Sequence, residues 1–130
     1  MLYILDTADL AAIRHCNEFY PLAGVTTNPS IIAKEKGDFW KLVKEIRSII
    51  GEEKMLHVQT TQKKAEKIVE EAKLLKEELK GDFYVKIPIG EEGLKATMEL
   101  KKLGIGVTMT AIFTPAQALI AAMAGASFVA

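Results

Sequence analysis

One lysine stands where a chain ordinarily avoids charge. In Tyr84-Val85-Lys86-Ile87-Pro88-Ile89-Gly90 the neighbours are apolar, and the run reads as a short strand buried on both faces. An unpaired ammonium there is strongly unfavourable unless it gives up its proton. A lysine guarding an edge strand, or one snorkelling to water, is the plain explanation. The chemical one is a neutral amine. A desolvated lysine attacks a carbonyl to form an iminium, which acts as an electron sink for breaking or making the adjacent carbon–carbon bond.

Whether Lys86 has company depends on phase, because alternate residues of a strand face opposite sides. With Lys86 pointing inward, the C-terminal ends of the other β-rich runs supply Asp6; Thr26 and Asn28; His57 and Gln59; Thr108 and Thr110. Residues of the opposite phase, Leu5, Val25, Leu56, Val58 and Met109, are apolar, and Thr27 is the exception. Singly these signals are weak. Asp6 before Thr7 reads equally as a helix cap or turn residue, and "TTNPS" as an Asn-Pro bend. His57 reads first as a satisfied structural histidine, and Thr110 as a β-propensity choice. Their shared phase is what gives them weight. Asp6, or a water held by Gln59 and Thr110, could move the protons of a class I aldol cleavage or transfer. No second histidine or cysteine stands at ligand spacing, since His15 and Cys16 fall on the first helix, so no metal site is expected.

The elements that must carry these residues alternate along the whole chain. Leu2–Asp6 reads as the first strand, followed by a helix from about Ala8 to Phe19 with Thr7 or Asp9 as its cap. Gly24–Asn28 reads as the second strand, with Pro29 opening a helical turn. Asp38 precedes "FWKLVKEIRSII", where Phe39, Leu42, Val43, Ile46, Ile49 and Ile50 fall at helical spacing before Gly51. Met55–Gln59 is the third strand. In "QKKAEKIVEEAKLLKEELK", Ala65, Ile68, Val69, Ala72, Leu75 and Leu79 form an apolar stripe. "FYVKIP", "GVTMTAI" and "SFVA" read as strands four, five and the start of six, separated by the helices "EEGLKATMELKKLG" and "TPAQALIAAMAGA".

Repeated strand–helix units imply parallel pairing with right-handed crossovers, in either an open doubly wound sheet or part of a (β/α)8 barrel. An open sheet covered on both faces has little use for one polar phase, whereas a barrel lines its active site with it. No G-x-G-x-x-G or P-loop follows any strand, which removes the usual nucleotide-binding signal. The expectation is a single α/β domain over residues 1–130 with barrel-like architecture.

Composition narrows the partners. Seventeen basic and seventeen acidic residues cancel in 130, so no nucleic-acid role is expected. Half the residues are apolar, as in an ordinary globular protein. One cysteine and a start, "MLYILDTADL", without a basic n-region suggest a reducing cytoplasm. Leu103–Ala130 carries no charge, but threonines, Pro115, Gln117 and three glycines interrupt it. No basic cluster flanks it either, so a strand, helix and strand are expected there rather than a membrane span.

Taken together, "LDTAD", "FYPLAGVTTNPSIIAKE", "VKIPIGEEGLKA" and "TAIFTPAQALIAAMAGASFVA" resemble the transaldolase family along Met1–Ala130, most closely its fructose-6-phosphate aldolase branch. The resemblance implies a TIM barrel, no cofactor, no metal and a sugar phosphate substrate. It makes Lys86 the Schiff-base lysine and Asp6 the aspartate that handles protons and substrate hydroxyls. Thr26 and Asn28 match the family's "TTN" motif, whose asparagine contacts the substrate. Gln59 matches the aldolase-type glutamine that positions a catalytic water, where transaldolases tend to carry glutamate, and Thr110 matches the threonine sharing that water. The family has eight strands, whereas these residues reach only the start of a sixth, so the expectation is an incomplete barrel of about five βα units. An aromatic residue after that strand, and the arginine and serine that hold the phosphate, have no counterparts. An open sheet edge and bare apolar helix faces would favour self-association into a homo-oligomer, two copies completing each other's sheets.

Overall fold

A computed structural model describes residues 1–130. Its elements are β1 (Tyr3–Asp6), α1 (Leu10–Phe19), β2 (Leu22–Thr26), α2 (Pro29–Lys34), α3 (Phe39–Ile50) and β3 (Met55–Gln59). Then come α4 (Ala65–Leu79), β4 (Phe83–Pro88), α5 (Glu91–Lys102), β5 (Gly106–Thr110), α6 (Pro115–Ala124) and β6 (Phe128–Val129). All strands are parallel, and their spatial order β1-β2-β3-β4-β5-β6 is their chain order. A doubly wound sheet reverses direction partway and covers both faces; this one does neither. Helices α1, α3, α4, α5 and α6 pack successively against one another outside the sheet. Residues of β1 and β6, the two edges, line one common cavity on the other side, so the sheet is curled. This is an incomplete (β/α)8-type barrel.

The core lies between the sheet's convex face and the helices, and it is built by the expected apolar phase. Val25, Leu56, Val58, Val85, Ile87 and Val107 are buried there against Val43, Ile46, Ile68, Leu75, Leu79 and Leu100. Thr27, the exception in that phase, is buried too, and its hydroxyl donates to the His57 carbonyl at 3.2 Å. On α4 the buried residues Ala65, Ile68, Ala72, Leu75 and Leu79 follow the three-four spacing of one helical face.

Caps set the boundaries and correct several expectations. Asp9, rather than Thr7, caps α1 by accepting from the Ala11 and Ala12 amides. β2 ends at Thr26 rather than Asn28, because Asn28 Oδ1 accepts from the Ile31 amide at 3.0 Å and starts α2. The helix expected from Gln62 begins at Ala65, whose amide is capped from α5 by Glu92 Oε2 at 2.7 Å. That bond holds the Glu92 carboxyl below its ordinary range. Gly51, at φ +77°, ends α3 in a conformation that suits a residue without Cβ. Gly106 answers a different need: a Cβ there would lie 2.4 Å from the Tyr84 ring.

The two sheet edges differ from the middle. β6 has two residues, and α6 beside it exposes Leu119, Ile120 and Met123, with Phe113 just before it 86 % exposed. No helix is long and apolar enough to cross a membrane.

Candidate functional site

Lys86 occupies the middle of β4, flanked in register by Gln59 of β3 and Thr108 of β5. It is 6 % exposed. Its Nζ donates to Thr26 Oγ1 and to the Thr27 carbonyl, each at 3.3 Å. Both contacts are at the long limit for N–H···O bonds, so this ammonium is poorly compensated. Burial lowers its pKa from the ordinary lysine value, and the Asp6 carboxylate pulls the other way. A larger fraction of Lys86 is therefore uncharged than of a surface lysine at the same pH.

Two cavities meet at this residue. The inner one, about 250 Å³, is lined by Lys86, Asp6, Thr26, His57, Thr108 and Phe128 together with Ile4 and the last two residues. A rim cavity of about 470 Å³ is lined by Lys86, Asn28, Gln59 and Thr110 together with Pro88 and Ala111. The six residues singled out from the sequence thus border one or other cavity: Asp6 and Thr26 inside, Asn28, Gln59 and Thr110 at the rim, Lys86 in both. They do so because β1 to β5 present the same phase at their C-terminal ends, as a barrel requires. Asn28 differs from expectation in detail, since its carbonyl oxygen accepts from the Ile31 amide to cap α2, which leaves its amide nitrogen and one lone pair for the cavity. Ala111 closes the rim at φ +61°, a left-handed conformation that is rare without glycine and is strained.

Sequence reasoning underweighted the floor of the site. His57 and Tyr84 stack at 4.8 Å, and Phe128 packs edge-on against both. His57 Nδ1 lies 2.7 Å from Thr108 Oγ1. Burial, with Lys86 adding to it, lowers the His57 pKa to about 4, so the ring is neutral at pH 7. The signal for these residues was present, since they share the phase of Lys86, but an isolated histidine reads as structural until its neighbours are known. No group of three histidine, cysteine, aspartate or glutamate side chains converges to hold a metal ion. A larger groove of about 480 Å³ between α4 and α5 is walled by exposed Lys and Glu side chains of the outer helix layer and holds no such set of in-phase polar groups.

Fold and site together define a (β/α)-barrel protein with a buried, poorly compensated lysine at the C-terminal ends of its strands. The sequence profile of the transaldolase/fructose-6-phosphate aldolase family matches residues 3–130. The chain belongs to that family of enzymes.

Proposed function

We propose that the chain is a class I aldolase or transaldolase that acts on ketose phosphates such as fructose 6-phosphate through Lys86. The observation that carries this is the buried Lys86 amine with its depressed pKa, where the two cavities meet. The neutral amine adds to the ketone carbon, the oxygen takes up a proton, and loss of water leaves an iminium. Breaking the neighbouring carbon–carbon bond sends its electron pair into the iminium and yields an enamine. The proton leaving the departing fragment's hydroxyl passes to Asp6, or to a water between Gln59 and Thr110. Thr26 and Asn28 hold substrate hydroxyls. Protonation of the enamine and hydrolysis of the resulting iminium complete an aldolase cycle. Attack on an acceptor aldehyde gives a new iminium, whose hydrolysis frees the amine and completes a transaldolase cycle. No metal or cofactor takes part in this scheme. The single thiol, Cys16, suits a reducing cytoplasm. Borohydride reduction with dihydroxyacetone or fructose 6-phosphate should add the mass of one ligand less one oxygen, since water leaves and two hydrogens are gained, and Lys86→Ala should abolish it. No adduct, or one that survives Lys86→Ala, overturns the reading.

A second reading is a catalytically inactive (β/α) unit that persists by self-association. The exposed Phe113, Leu119 and Met123 beside the short edge strand β6 favour it. A turnover assay separates the two readings, because an imine can form without completing a cycle. Light scattering after size-exclusion chromatography should give a mass above 14.3 kDa, and a compact monomer would refute the association.

A further inference from the structure

The loop after β3, residues 60–64, is gripped from the outer helix layer. At the same end of the sheet, Asp9, Asn28 and Thr114 cap α1, α2 and α6 from the turns that precede those helices. No side chain caps α4 in that way. Its loop is held by a carboxylate in the second turn of the helix. Glu71 Oε2 accepts from the Thr60 hydroxyl and, at 3.1 Å, from the Thr61 amide. Glu71 Oε1 accepts from the Thr61 hydroxyl at 3.2 Å. Water alone can satisfy a carboxylate on an outer helix, yet both oxygens here are engaged by the two residues that follow Gln59. Such charge-assisted bonds are stronger than neutral ones and fix the groups they join.

What they fix lies beside the reactive amine. Thr60 is 3 % exposed, and its amide donates to the Lys86 carbonyl at 3.0 Å. That bond continues the register in which Gln59 stands opposite Lys86. Gln59 is half-buried, ends its strand and borders the rim cavity with Lys86 and Thr110. The direction of its side chain therefore depends on the backbone that Glu71 holds. Lys86 depends on it less, because β3 and β5 pair with β4 on both sides of it. Displacing a group that handles protons by even 1 Å can slow a reaction by up to about a hundredfold.

Resting on the Schiff-base reading, we propose that Glu71 is a positioning residue for proton transfer at Lys86, acting through Thr60 and Thr61 on Gln59. The step it serves is defined for a dihydroxyacetone iminium. A carbon-bound proton beside the C=N leaves to the water between Gln59 and Thr110, and its electron pair moves into the iminium to give an enamine. In heavy water a deuteron returns to that carbon, and hydrolysis releases labelled ketone.

Two readouts on the full chain test this. Borohydride labelling with dihydroxyacetone, followed by intact-protein mass, reports imine formation. Deuterium uptake by dihydroxyacetone, followed by proton NMR, reports the proton transfer. Glu71→Leu should slow uptake about tenfold or more while moving the half-labelling concentration by less than about twofold. Glu71→Gln, whose amide oxygen still accepts from Thr60 and Thr61, should recover most of the uptake. Thr60→Val removes the buried hydroxyl, should slow uptake in the same direction, and serves as the second variant should Glu71→Leu fail to fold. In a Gln59→Ala background, adding Glu71→Leu should slow uptake by less than about twofold, because the group being positioned is gone. Unchanged uptake in folded Glu71→Leu overturns the inference and leaves the Schiff-base reading standing. Equal loss of label and uptake, or a full further loss in Gln59→Ala, marks Glu71 as structural and overturns it too. Label without uptake on the unaltered chain overturns the inference alone. No label on the unaltered chain overturns the Schiff-base reading, and the role of Glu71 with it.

Discussion

Arg47 and Lys86 are buried to nearly the same degree, 7 % and 6 % exposed, at opposite ends of the strands. Arg47 projects from α3 and donates to the carbonyls of Gly51 and Lys54 at 2.7 Å and of Asp82 at 2.8 Å. It thereby ties the turns that lead into β3 and β4. Lys86 has two contacts at 3.3 Å. Burial lowers both pKa values, yet the consequences differ. A guanidinium does not deprotonate in a protein and so demands acceptors, whereas an ammonium can lose its proton. Arg47 places its two terminal nitrogens on three carbonyls, with only Nε unpartnered, and holds turns together, whereas Lys86 has only two long contacts.

Substitutions can break this contrast. Lys86→Met, which keeps the apolar stem, should abolish imine trapping while leaving stability unchanged or raising it by up to about 2 kcal/mol, because a poorly compensated buried charge is removed. Paired mass spectrometry and urea unfolding check this, and a large loss of stability would place Lys86 in the same role as Arg47. Arg47→Met should lower stability by about 3 kcal/mol or more, since three carbonyls lose their donor. The folded fraction should still label at Lys86. Loss of labelling in folded Arg47→Met would show that the two ends are coupled.

His57 sharpens the contrast from a third side. Its folded pKa is about 4, against about 6.5 for a free histidine. Between those values the unfolded chain binds a proton that the native chain does not, so stability rises with pH across that window. Acidifying from pH 6.5 to 4 should therefore cost up to about 3 kcal/mol through this one group. Carboxylates titrate in the same range, so the check is the difference between the unaltered chain and His57→Phe. The substituted chain should lose less stability on acidification, and parallel curves would remove His57 from the buried neutral set. The smallest effect is expected at Asn28. Replacing it with alanine removes the α2 cap and should lower stability by about 1 kcal/mol. Lys86 labelling should then need more ketone, because Asn28 borders the same rim cavity and is proposed to hold a substrate hydroxyl.

The strand–helix alternation, the apolar stripes of α3 and α4, and the common phase of Asp6, Thr26, Gln59, Lys86 and Thr110 were readable from the chain alone. Each depends on spacing within one element, which local periodicity records. What escaped depends on pairs far apart in sequence. Arg47 meets Asp82 across 35 positions, His57 meets Thr108 across 51, and Lys86 meets Thr26 across 60. Arg47 falls on the buried face of α3, at helical spacing between Val43 and Ile50, and only the turns folded around it show its role. The second strand's end was misplaced for a related reason. Asn28 extends the strand pattern, but its side chain is better used on the Ile31 amide next to Pro29.

The most direct measurement is an NMR titration of the chain with ¹³C-labelled lysine side chains, following the methylene carbon beside each amine. Lys86 should change protonation at a lower pH than the exposed lysines, and Lys86→Met should remove that one early transition. If the Lys86 signal moves together with those of the exposed lysines, the amine is an ordinary cation at neutral pH, and the account of a lysine kept ready for a ketone is wrong.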